Sequence, residues 1–277
     1  MKDSKIRSFF NMMKMNLFQS IISFKFIVLT CGIILVFYAS AWDTLQLLIK
    51  GKFSGYSSMV SLFSSIIGLD RFKSVIIILL ASIYTSSFCE DWNSRFLHMI
   101  VARSSVRMYA WARLTANACA ILFSFLGSVL VFSISFSYLF HLPMVNHKEI
   151  LQIISNFSPY ENIVKNYPGI LYILLITLIF GLSVVFLCTV GMVFTVYFPN
   201  KFVAIAMPFI AYYILCSLTL FFPEPLSFFG LSTGVKLIPL GALGNFLYTI
   251  GVLTGLWLLS CFYFEIILEK RLENEIL

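Results

Sequence analysis

The sequence predicts an all-α polytopic membrane protein with six transmembrane helices. It also predicts an N-terminal interfacial amphipathic helix and a cytoplasmic helix between spans two and three. Three observations carry the fold class. Of 277 residues, 60% are apolar and only 11% are charged, whereas a soluble domain carries about 25% charged residues to face water. Mean hydropathy is +0.95. Uncharged runs recur along the chain, and their length matches the ~20 residues an α-helix needs to cross a bilayer core.

Residues 1–25 carry Lys2, Lys5, Arg7, Lys14 and Lys25, while Ile6, Phe10, Met13, Leu17 and Ile21 recur at three- and four-residue spacing. That spacing puts the apolar residues on one helical face, so a basic helix lying in the inner interface is expected. The alternative is a partly disordered basic tail. Charge interrupts this segment too often for a signal-peptide h-region, and no cleavage is expected. The first span is expected over 26–42. A polar segment follows over 43–74, and its apolar stretch 59–69 is too short to cross. It reads as an interfacial or re-entrant helix. The second span, 75–89, holds Ser82, Thr85, Ser86 and Ser87, which suit contact with other helices rather than lipid.

The third span is expected over 114–140 and the fourth over 169–197, followed by a tight turn at Pro199-Asn200-Lys201. The fifth, 202–222, contains Pro208, which removes a backbone donor and predicts a kink. The connection 226–240 is mostly apolar and reads as partly re-entrant. The sixth span is expected over 241–264, with a charged tail after it. Everything belongs to one transmembrane domain, 1–277, without an inverted repeat of the kind that marks many secondary transporters.

Net charge is +7. In a soluble chain that would raise nucleic-acid binding, but here the cations flank spans, and no nucleic-acid partner is expected. With both termini cytoplasmic, the inner segments hold Lys2, Lys5, Arg7, Lys14, Lys25, Arg95, Arg103, Arg107, Arg113, Lys201, Lys270 and Arg271. The outer segments hold Lys50, Lys52, Arg71, Lys73, Lys148, Lys165 and Lys236. Twelve against seven follows the positive-inside rule and sets the orientation. Membrane lipid is the surrounding partner. No expected span has an ionisable side chain near its centre, which disfavours a carrier with its own ion coupling. The six cysteines lie in or beside apolar runs without a CxxC pair and read as packing residues. No metal site is expected: His141, His147 and Glu149 lack ligand spacing. Gly251-x-x-x-Gly255 could bring helices close, though such spacing recurs by chance in apolar sequence.

The segment from Glu90 to Arg103 is the most informative. Trp92, Phe96, Met99 and Ile100 fall on one helical face, and Glu90-Asp91 suits a helix N-terminus. Ser104-Ser105 offers an N-cap for the helix entering span three. The expectation is a short amphipathic helix over 90–103, against an ordinary solvated loop helix.

An acid ending span two, a short helix, then Ser105-Val106-Arg107-Met108-Tyr109 and Arg113 opening span three resemble the type-2 ABC exporter permease family. The run from Phe198 to Tyr213 is similar to the turn and fifth span of small bacterial peptide- and bacteriocin-related permeases. The chain differs in lacking a Gly-Thr after the acid and a Pro before the Ser-Arg step. The resemblance implies a transport subunit in a bacterial cell membrane, exporting amphipathic peptide. It implies two copies of a separate ABC ATPase subunit and a second permease chain, identical or sister. The implied ATPase-coupling residues are Glu90, Asp91, Trp92, Arg95 and Phe96, with Arg107 anchoring the loop. No cofactor is expected in this chain, which lacks a G-x-x-x-x-G-K-[ST] loop; ATP and Mg would be bound by the partner ATPase. Alternatives are a non-transporting membrane scaffold or assembly factor, and an intramembrane CAAX-type protease, which Glu90-Asp91-x-x-x-Arg95 resembles. No histidine occurs in a later span to serve that protease.

Overall fold

The computed structural model describes residues 2–49, 58–68, 70–145, 160, 168–235 and 237–276. Among them the secondary structure is helical, without strands. Helix α1 (Lys2–Ile21) meets α2 (Phe24–Ser40) at a 51° bend. Ser23 sets the bend by capping α2, its Oγ accepting from the Phe26 N–H at 3.1 Å. Short helices α3 (Trp42–Ile49) and α4 (Met59–Gly68) follow. Helix α5 (Asp70–Tyr84) passes through two turn residues into α6 (Ser87–Asn93). Then come α7 (Phe96–Arg103), α8 (Val106–Phe140), α9 (Gly169–Tyr197) and α10 (Lys201–Thr219). A 3-10 turn (Glu224–Leu226), α11 (Phe228–Thr233) and α12 (Gly241–Ile276) complete the order.

Five of these segments are long and apolar enough to cross a membrane: Phe72–Asn93, Val106–Phe140, Gly169–Tyr197, Lys201–Thr219 and Gly241–Asn274. The bent pair Phe9–Ile21 with Phe24–Ser40 would make a sixth. The chain is a membrane protein by this criterion. Alone, α2 has only 17 residues, so the expected first span exists only as part of that pair.

Several expected boundaries move. Helix α8 begins eight residues before the expected 114, because Ser105 caps it by accepting from the Met108 N–H at 3.3 Å. Helix α12 continues through the expected charged tail, since Phe264, Leu268 and Leu272 recur at helical spacing and are buried. Residues 59–68 of the expected interfacial or re-entrant stretch form a helix packed into the protein. As α4 it buries Met59, Val60, Leu62, Phe63, Ile66 and Ile67, and its Met59 N–H donates to the Pro143 carbonyl at 3.0 Å. Among the described side chains of α1, Asn16 and Ser20 are buried and Phe10 is exposed. The face turned to the protein is therefore rotated from the apolar stripe, toward α8. Of the expected segments 43–74 and 141–168, residues 50–57, 69, 146–159 and 161–167, with His147 and Glu149, lie outside the described residues.

Helix α9 sits at the centre, packed by α8, α10 and α12. Two-thirds of its most apolar stretch (67%) is buried inside the protein, against 17% for α10 and 22% for α12. A helix apolar all round belongs in the interior; α10 and α12 turn their outer faces away from the bundle. Pro208 lies within α10, and its ring packs on Gly191 of α9, where an added Cβ would come within 2.9 Å. Glycine there permits close helix approach. The large core runs through Phe37, Phe125, Phe132 and Phe180, with Phe37 and Phe132 stacked at 5.3 Å. A smaller cluster around Phe88, Tyr109, Val196 and Phe264 fills the other end.

Candidate functional site

A group of charged side chains gathers at the end of the bundle where α6 leads through α7 into α8, where α9 turns into α10, and where α12 finishes. Tyr109 and Arg113 stand one turn apart on α8 and so share a face. That face turns inward, and both residues are buried, Arg113 to 5% exposure. Arg113 donates to Asp91 and to the Tyr84 hydroxyl. It also donates to Asn16 Oδ1 at 3.3 Å and to the Ser87 carbonyl at 3.4 Å. The Tyr109 hydroxyl donates to Asp91 Oδ2 at 2.7 Å. The Tyr84 and Tyr109 rings lie 5.0 and 5.8 Å from the guanidinium carbon, within cation–π range. One buried cation thus ties α1, α5, α6 and α8 together. A buried charge needs this degree of pairing, because desolvation otherwise costs several kcal/mol per ion.

A rim of looser contacts surrounds the joint. Glu90 pairs with Lys201 at 2.9 Å, both about half exposed. Lys25 Nζ donates to Ser86 Oγ at 3.2 Å. Glu265 on α12 accepts from Trp111 Nε1 at 2.8 Å and pairs with Arg107 at 3.4 Å. The Arg271 guanidinium lies 4.1 Å over the Trp92 ring. A polar cavity of about 340 Å3 opens beside the joint, bordered by Lys25, Ser86, Glu90, Asp91 and Arg113.

No family model, curated protein or solved structure matches this chain.

The six residues expected from sequence fall in four places. Glu90, Asp91 and Trp92 sit on α6, Arg95 on the break, and Phe96 and Arg107 on the first turns of α7 and α8. The expected single helix over 90–103 is therefore two pieces. Ser94 Oγ folds back to donate to the Glu90 carbonyl at 2.7 Å, and Arg95 takes a left-handed conformation with φ 57°, which ends α6 and redirects the chain. Non-glycine residues adopt that conformation at a cost of about 1–2 kcal/mol. Asp91 points inward to Arg113, while Arg95 and Phe96 are exposed. Sequence reading named Tyr109 and Arg113 but placed them at a membrane boundary, and did not connect Asn16, Tyr84, Lys201, Trp111 or Glu265. The one local signal was the four-residue step from Tyr109 to Arg113; the other partners come from distant helices. The carboxylates here are engaged by cations, a phenol and an indole N–H.

Proposed function

We propose that this chain is the membrane-spanning permease subunit of an ATP-driven exporter of the type-2 ABC class. Two copies of a separate ATPase would dock on it, and a second permease chain would complete the path for an amphipathic peptide. The observation that carries the reading is α7. It is a short helix between two spans, at the charged end, with Phe96 44% and Met99 57% exposed on one side and Leu97 buried on the other. Exposed apolar residues flanked by cations are what a partner surface requires.

In this reading the docking side chains are Arg95, Phe96 and Met99, and Asp91 works one step behind them. A push on α7 reaches α6 across the Arg95 break. From Asp91 it passes to Tyr109 and Arg113 on α8, and from Arg113 to Asn16 on α1. Both spans flanking α7 therefore move together. Charged-end residues Arg107 and Trp111 extend the linkage to Glu265 on α12. With Lys14, Lys25, Arg95, Arg107 and Lys201 all at this end, the positive-inside rule makes it cytoplasmic.

The test is purification from native membranes in mild detergent, followed by mass spectrometry of bound chains. A phosphate-loop ATPase is expected to co-purify. Phe96→Glu with Met99→Glu is expected to lose it while the chain still inserts. A chain that purifies with no nucleotide-hydrolysing partner would be a scaffold, and the transport reading would fall.

A further inference from the structure

The last turns of α12 form a groove against the end of α9 that the exporter reading does not use. It holds about 400 Å3. Its walls carry Tyr197 and Tyr263, Ile266 lies below, and Lys270, Arg271 and Asn274 close its outer end. On α12 the lining positions 263, 266, 270 and 274 follow three- and four-residue steps, a single stripe on one face. Tyr197 of α9 and Tyr263 of α12 both line the groove. Arg271 is held in place by its contact with Trp92, 4.1 Å from the ring.

The order of chemistry along this stripe matches the edge of a bilayer. Cations and an amide stand outermost, Ile266 comes one turn further in, Tyr263 follows, and the exposed Leu259 continues the stripe toward the bundle centre. Phe198, next in sequence to Tyr197, and Phe202, on the first turn of α10, are also exposed, as aromatic residues are at membrane–water boundaries. The described carboxylates of the same helix stand outside the groove. Glu265 is engaged by Trp111 and Arg107, and neither Glu269 nor Glu273 lines the groove.

We infer that this groove binds the phosphate of an anionic phospholipid, between Lys270, Arg271 and Asn274, with the acyl chains lying along Ile266 and Leu259. Basic pockets between membrane helices recognise such head groups by charge. A lipid that carries its own cation lacks the net charge that draws it there. A soluble phosphate ester would leave the apolar half of the groove uncovered.

Native mass spectrometry of the purified chain, offered equal phosphatidylglycerol and phosphatidylcholine, tests the site. Phosphatidylglycerol is expected to be retained about fivefold or more over phosphatidylcholine. Lys270→Ala with Asn274→Ala is expected to bring the two to parity, with an unchanged helical circular-dichroism spectrum, and Lys270→Arg is expected to keep the preference. Equal retention by the unaltered chain overturns the proposal, as does an undiminished preference in the double variant. Displacement of the lipid by soluble glycerol phosphate would show an anion site without lipid recognition, and would also overturn it.

Discussion

The two ends of the bundle solve one problem with different chemistry. At the charged end, a full cation on α8 is buried against a carboxylate, two phenols, an amide and a backbone carbonyl. At the far end, where Lys73 is also buried with its Nζ 4.7 Å from the Phe229 ring, a neutral amide joins the segments around α12. Asn245 of α12 accepts from the Leu237 and Ile238 N–H groups at 2.9 and 3.2 Å. It donates to the Tyr160 hydroxyl and the Val235 carbonyl, both at 3.3 Å. Both hubs are buried, and both gather segments that backbone hydrogen bonds cannot join. The difference lies in what happens when a partner is lost. An amide left short of a partner costs about 1–3 kcal/mol, while an unpaired buried ion costs about 3–5 kcal/mol. The charged joint is thus all-or-none, and the neutral one is a graded clamp.

Asp91→Ala should give the largest effect by stranding Arg113. Unfolding in mixed detergent should register a loss of about 3–5 kcal/mol, and adding Arg113→Met should recover more than half of it. If the single variant costs no more than a far-end variant, the two ends do not differ as described. Next comes Asn245→Ala, expected to cost about 1–3 kcal/mol. Faster hydrogen exchange at Leu237 and Ile238, with α8 unaffected, would place that cost at the clamp.

A smaller change is expected from Lys201→Met. Lys201 and Glu90 are 57% and 53% exposed, so their pair should be worth about 0–1 kcal/mol and vanish in high salt. A larger loss would make the rim part of the joint. The smallest effect concerns pH. Burial pushes the Tyr160 phenol up to about 12, so the folded chain favours its neutral form. The resulting stability is complete below the ordinary phenol value of about 10. It should be lost as pH climbs from there through about 12. Melts on both sides of that window should show it, and Tyr160→Phe should flatten the dependence.

Much of the bundle was legible because membrane spans announce themselves locally. The fourth span was expected at 169–197 and is α9 over Gly169–Tyr197. The turn at Asn200 also follows from local chemistry, with its Oδ1 accepting from the Phe202 N–H at 2.9 Å. Less legible was the region from 90 to 113. Its amphipathic spacing is compatible with one continuous helix, and only the backward hydrogen bond of Ser94 and the left-handed Arg95 divide it. Arg113 read as a boundary cation because a charge usually ends an apolar run. It is buried because Asp91, Tyr84 and Asn16 converge on it from 22, 29 and 97 residues away.

Residue chemistry along the chain was enough to make this a helical membrane protein. The bilayer forces every span to satisfy its own backbone, and a run of apolar side chains records that requirement in place. Which polar residues meet could not be read the same way. Asp91 with Arg113, Asn245 with Tyr160, and Arg271 with Trp92 are meetings between different elements. Only the packing of one helix on another decides whether a charged side chain finds a partner or water.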